Sequence, residues 1–326
     1  MKSVRGLRVD LERLEASLVT VAGADEFASV ALMHRGLSEV RDDLKERLDE
    51  ARRARLDVVL NGIPVVGHEV RIDALSKLLH SLQESVSSVA QAMTSQATSS
   101  SSIPGLLREK TSLRLVSVYP GSFGAVLRGP PQTERDAEPL FEMENEVPTV
   151  LDLAVEAVLT IVDLANSEAV NDDPIIEAVL PLGSRAFKHL GDLSDAIVDE
   201  EMTASLSFVS PSAETHTSTL SKASAARLRD VLDRNRISER KVKYEGHLGT
   251  VSDIRNRIEL QTEEGIIPAK VVDELVPELA AYYSHRVLAS FDVTTAVSHL
   301  TGQERNSYVL TGLAMAPRQG GLAGEE

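Results

Sequence analysis

Leu56-Asp57-Val58-Val59-Leu60-Asn61-Gly62 opens the stretch that decides the fold. A run of strand-forming residues leads into Asn61-Gly62, and both turn residues tolerate the positive φ that a tight hairpin needs. Pro64 cannot donate to a ladder, which predicts a return strand that starts irregularly or lies at an edge. From His68 to Ile72 the chain alternates, with His68, Val70 and Ile72 on one side and Glu69 and Arg71 on the other. Asp73 stands where a helix N-cap belongs. Leu75, Leu78, Leu79, Leu82, Val86, Val89, Ala90 and Met93 then recur at helical spacing. The stretch from Leu56 to about Met93 therefore predicts a strand–strand–helix (ββα) unit.

A second unit follows the Ser/Thr-rich connection 94–102. Residues 113–118 alternate, Pro120-Gly121 form a turn pair, and Phe123, Ala125 and Leu127 continue on a return strand. The Pro-rich, acidic segment 129–146 reads as a loop. Thr149 with Asp152 three residues on has the form of a capping box, and the helix behind it, 150–165, is apolar nearly all round. Two ββα units predict one four-stranded antiparallel sheet with both helices on one face, and 202–209 offers a fifth strand.

Outward from this pair, Leu7, Leu11, Leu14, Leu18 and Val21 make one helical stripe and Phe27 to Ala51 a longer one, broken at Gly23. They predict a helical hairpin over 1–55, either packed on the chain's own core or used as a dimer contact. Downstream, helices are expected over 174–182 and 184–201, a loop over 210–221 and a basic helix over 222–236. Five strands follow, at 241–251, 257–262, 266–272, 286–294 and 307–313, with a short helix after the third. That element order resembles an OB-like small barrel, with an SH3-like barrel as the near alternative. The expected fold class is α+β: hairpin 1–55, body 56–221 with two ββα units, basic connecting helix 222–239, small barrel 240–316 and a disordered tail 317–326.

Composition narrows the function. Over 326 residues, 42% are hydrophobic and 26% charged, as in a chain that buries a real core. The absence of cysteine removes disulfides, thiolate metal sites and cysteine nucleophiles. The apolar run 147–164 is interrupted by Asp152, Glu156 and Asp163, too short and too charged to span a bilayer. With no apolar signal core after Met1, these features predict a cytoplasmic protein without a membrane partner. Arg outnumbers Lys by 25 to 9, the balance of a GC-rich bacterial genome. A net charge of −16 opposes general attraction to nucleic acid.

The charge is uneven, and this marks the one candidate surface. Residues 222–257 hold ten Lys or Arg against five Asp or Glu, whereas 134–156 hold eight acids and one Arg. Arg227, Arg229, Arg234, Arg236, Arg240, Lys241 and Lys243 run from the basic helix into the first barrel strand, and Arg255 and Arg257 come from the second. Single-strand binders pair such basic grooves with stacking aromatics, but here strand aromatics are few and the barrel carries more acids than bases. Asp57 and Glu69, placed on paired strands, would loosely resemble a divalent-metal nuclease site, with Arg71 where a lysine is usual. The eight histidines show no zinc spacing, and neither a Gly-rich phosphate loop nor a Gly-x-Ser-x-Gly elbow occurs. No cofactor or metal is expected. The reading favours a non-catalytic binding protein, a subunit of a bacterial complex whose small barrel contacts another protein. Homodimerisation through the N-terminal helices belongs to this reading. Nucleic-acid binding through 222–257 is the alternative, and the nuclease a lesser one.

Overall fold

A computed structural model describes residues 4–21, 28–94, 102–120, 122–131, 148–167, 171–210, 215–252, 256–298 and 302–316. The fold is mixed α+β. Helices α1 (Val4–Val21) and α2 (Ala28–Arg52) pack side by side, burying Leu7, Leu18 and Leu48. The expected break at Gly23 lies outside the described residues.

Strand β1 (Arg55–Gly62) is the centre of the body sheet. It pairs antiparallel with β5 (Phe123–Arg128) on one side and β6 (Met202–Val209) on the other. β4 (Arg114–Tyr119) and β7 (His216–Leu220) close the edges, giving the order β4-β5-β1-β6-β7. This corrects the first ββα unit. The chain after Gly62 does not return along β1, because both of that strand's edges are occupied. It forms instead a separate pair of two-residue strands, β2 (Val65–Val66) and β3 (Glu69–Val70). Gly62 has the positive φ expected of the turn, +122°, but for another reason: a Cβ there would stand 2.4 Å from the Glu201 carbonyl oxygen, which accepts a hydrogen bond from the Ile63 amide. Ile72 opens helix α3 (Ile72–Thr94) rather than ending a strand.

After the connection, α4 (Gly105–Lys110) is a short helix in a stretch for which the sequence predicts no element. β4 and β5 are followed along the chain by α5 (Val150–Asn166). The Thr149 hydroxyl accepts from the Asp152 amide, and Asp152 accepts from the Thr149 amide, so the capping box is complete. Helices α6 (Asp173–Val179) and α7 (Gly183–Asp199) flank a 3-10 turn, Leu180–Leu182. A further strand–strand–helix run then follows: β6, β7 and α8 (Lys222–Asp233), the helix capped by Ser221 and Ser224. β7 occupies a segment read as loop. Its Ser/Thr composition hid an alternation in which Ser218 and Leu220 are buried while Thr217 and Thr219 are exposed.

One side of the sheet carries the core. Leu56, Val58 and Leu60 of β1, Ala125 and Leu127 of β5, and Leu206 and Phe208 of β6 meet buried residues of α3, α5, α7 and α8. Each fully buried Leu, Ile or Val contributes about 1.5–3 kcal/mol. α5 buries Leu151, Ala154, Val155, Val158, Leu159, Ile161, Val162 and Ala165, which makes it the central helix.

From α8 the chain passes directly into β8 (Asn235–Ser252), longer than expected because the last turn of the predicted basic helix is already strand. β9 (Arg257–Thr262), β10 (Gly265–Val271), β11 (Arg286–Ser298) and β12 (Glu304–Met315) follow, with a 3-10 turn and the short α9 (Leu279–Tyr282) after β10. These strands pair into a closed ring, β10-β12-β11-β8-β9, in which β10 and β12 run parallel and every other pair is antiparallel. The ring has its own core, built from Leu248, Ile258, Leu260, Val271, Val287, Phe291 and Leu310. Tyr308 meets Tyr244 and Phe291 edge to face there, and Tyr244 and Phe291 are tilted to each other, with centroids 6.0–6.5 Å apart.

Body and ring touch along a seam of polar and apolar contacts. The Ser184 amide and hydroxyl donate to Glu239 Oε1 at 2.9 and 2.5 Å. Arg305 pairs with Asp173 at 2.6 Å and Glu177 at 3.3 Å, and Ile237 and Ala296 pack into the body's core. Among the described residues no helix is long and apolar enough to cross a membrane. The tail 317–326 lies outside the described residues.

Candidate functional site

The nine basic candidates separate into two groups. The three on α8 are engaged within the body. Arg227 pairs with Asp172 at 2.9 Å and donates to the Ser167 carbonyl. Arg229 lies 2.8 Å from Asp195, 3.7 Å from Asp233 and 3.8 Å from Asp199. Arg234 pairs with Asp230. The Arg227 and Arg229 contacts staple α8 to the turn before α6 and to α7, while Arg234, the residue that ends α8, pairs back onto the helix itself. Burial, the dominant cause, raises the Asp195 carboxyl above the usual range; Arg229 opposes this, while Asp199, Asp233 and Asp192 add to it.

The remaining candidates lie on the ring. Arg236, Arg240, Lys241 and Lys243 are exposed along β8, but not on one face. Lys241 and Lys243 alternate with the partly buried Val242 and Tyr244, whereas Arg236 and Arg240 have the opposite parity. Lys241 stands 3.7 Å from Asp292. Arg257 is exposed on β9 opposite Lys270. Arg255 lies outside the described residues.

Asp57 and Glu69 are not on paired strands, which removes the geometry on which the nuclease expectation stood. Asp57 faces Val126 and Ser207 across β5 and β6, and its two oxygens are held by Arg55 Nε and Nη2, each at 3.0 Å. Glu69 sits on β3, whose partner is β2. Among the described residues no group of three or more His, Asp or Glu side chains is arranged to hold a metal ion.

Three features were not read from the sequence. The first is His216, at the start of β7. Its Nδ1 lies 2.6 Å from Glu156 and its Nε2 2.8 Å from Asp163, while Ser218 donates to the other Asp163 oxygen. Burial lowers the imidazole pKa, but the hydrogen bonds and charges of Glu156 and Asp163 outweigh it, so the net shift is upward. The signal was present on α5, since Glu156 and Asp163 are seven residues apart and share a face; only the partner strand was missing.

The second is the sheet's outer face. The helices packed on the sheet meet it from the core side. On the opposite side, directly paired residues form rows. Arg114, Arg128, Arg55 and Val209 make one row; Ser117, Val126, Asp57, Ser207 and Thr217 the next; Tyr119, Gly124, Val59, Ser205 and Thr219 a third. Hydroxyl pairs Ser207–Thr217 and Ser205–Thr219 lie 3.0 and 3.3 Å apart. The Tyr119 ring covers Gly124, where any Cβ would come within 2.3 Å of it.

The third is the ring surface formed by β9 and β10, whose Lys270 end lies against the C-terminal end of α3. There Gln261 faces Ile266, Glu259 faces Pro268 and Arg257 faces Lys270 across β9 and β10, with His247 and Thr250 of β8 beside them. Ile266 is 65% exposed. Set against known proteins, the chain matches no family model, no curated protein and no solved structure.

Proposed function

We propose that the chain is a non-catalytic interaction protein of the bacterial cytoplasm, a subunit that uses its C-terminal ring to contact a partner protein. The observation that carries this reading is the β9–β10 surface, where an exposed isoleucine and a proline sit among Glu259, Gln261 and Arg257. An apolar centre with a mixed-charge rim is the make-up of a protein contact. Numbered along the chain, the ring's strands pair in the order 1-2-3-5-4-1, with a helical segment between the third and fourth and a parallel closure. These features support the OB-like description over an SH3-like one. OB-like rings often bind through their second and third strands. Here those strands, β9 and β10, contain no aromatic residue for bases to stack on, which favours a protein over a nucleic acid on this surface.

The test is affinity capture from the source cells with the tagged full chain and with Ile266→Asp. The reading predicts a protein retained by the first and reduced about tenfold or more with the second, the effect of losing ~1.4 kcal/mol of binding. Equal recovery with both would remove this surface as the contact.

A further inference from the structure

The body's outer sheet face holds a charge arrangement that the fold does not need. Arg114, Arg128 and Arg55 are directly opposite one another on three neighbouring strands. Such residues stand about 4.5–5.5 Å apart at Cβ, and like charges so placed are destabilising. Arg53 joins them: burial first, then Arg128 and Arg114, lower its pKa. The set is only partly neutralised. Asp57 takes Arg55. Arg128 donates to the Glu50 carbonyl at 3.0 Å, has the Glu50 carboxylate 3.8 Å away, and keeps its Nε buried without a hydrogen-bond partner. Arg53 Nε donates to the Gly129 carbonyl at 2.9 Å. Arg114 is exposed and makes no ion pair among the described residues. This concentration of guanidinium stands out in a chain of net charge −16.

Two rows away lies Tyr119, 38% exposed, its ring resting on Gly124. Hydroxyls of Ser205, Ser207, Thr217 and Thr219 continue the surface. We propose that this face, exposed along β4 and closed over Val126 at β5, binds single-stranded nucleic acid, with phosphates on Arg114 and Arg55, the mostly buried Arg128 lending charge between them, and a base on Tyr119. Guanidinium offers five donors in a fork that fits phosphate, and Arg55 has donors left beyond those Asp57 takes. A flat face with an aromatic platform suits unpaired bases, which stack and present their edges to side-chain hydroxyls. The acidic remainder of the molecule confines the strand to this patch. The site is separate from the ring surface, so either can fail without the other.

The experiment is fluorescence anisotropy with the full chain and labelled oligothymidylate and oligouridylate of about 16 nucleotides. Two phosphate contacts predict a log–log salt slope near −1.4, or about sevenfold weaker binding at about 200 mM than at about 50 mM salt. Arg114→Ala should reduce the slope by about 0.7, and Arg114→Lys should retain it. Tyr119→Ala should weaken binding about fivefold or more at both salts without changing the slope. Three results would overturn the proposal: no binding of either oligonucleotide at low salt, a slope indifferent to Arg114→Ala, or equally tight binding of an oligoglutamate peptide, which would make the face a docking site for acidic protein. Melting curves of each variant verify that it folds; Arg114 and Tyr119 lie on an edge strand whose residues are all exposed.

Discussion

His216 is held on both ring nitrogens by carboxylates, at 2.6 and 2.8 Å, and so ties the edge strand β7 to the central helix α5. Its pKa in the folded chain stands above the ordinary 6.5, against the effect of its burial. A group so raised stabilises the fold fully below its unfolded pKa, and the stabilisation is lost as pH rises through the folded value. The melting temperature of the native chain should therefore fall above about pH 6.5 relative to His216→Asn, and the two profiles should become parallel once the imidazole is neutral. Thermal melts across this range, with an NMR titration of the imidazole, measure both; parallel profiles throughout would contradict the double ion pair. Gly246 makes a separate point about close approach. Its Cβ would stand 2.5 Å from the Gln261 carbonyl oxygen and 3.0 Å from Leu260 Cγ. Gly246→Ala should cost about 1–3 kcal/mol by overpacking the β8–β9 pair, read by urea unfolding; an unchanged midpoint would show that the strands separate without penalty.

At the level of elements, legibility followed the strength of local signals. α5 was readable because Thr149 and Asp152 mark its start and its apolar face is broad. α3 was readable because its leucines and valines keep helical spacing. β7 was hidden because hydroxyl residues serve equally in loops and on a solvated sheet face. The first hairpin failed for a different reason: Asn61-Gly62 encodes a positive φ, but whether a return strand pairs depends on which distant strands already occupy β1. The helical hairpin was also legible, and its outward residues carry a prediction. Leu32 is 77% and Met33 56% exposed, with Val19 and Val40 also open. Such residues on a two-helix arm fit self-association through α1 and α2. The native chain should sediment as a dimer, and Leu32→Asp with Met33→Asp should convert it to a monomer. A native chain that is monomeric at all concentrations would exclude this contact.

For the whole molecule, two hydrophobic cores joined by a seam of polar and apolar contacts divide the work. The body turns a hydroxyl- and arginine-bearing face outward, and the ring turns out a mixed surface centred on Ile266. The basic segment that stood out in the sequence holds α8 within the body: Arg227 and Arg229 bind acids before α6 and on α7, and Arg234 pairs with Asp230 one turn back. Composition reported the excess of charge but not its partners, because Asp172, Asp195 and Asp199 are remote in sequence and brought near only by the packing of α6, α7 and α8. The Arg114–Arg128–Arg55 row was equally illegible, since its members come from three strands and share a row only through register. The central claim is that the β9–β10 surface of the ring contacts a partner protein. The most direct measurement is photo-crosslinking in the source cells, with the reactive side chain placed at Ile266 and, as a control, at the exposed Glu109 of α4. The account predicts a discrete protein adduct from position 266 and none from 109. No adduct from 266, or the same adducts from both positions, would contradict it.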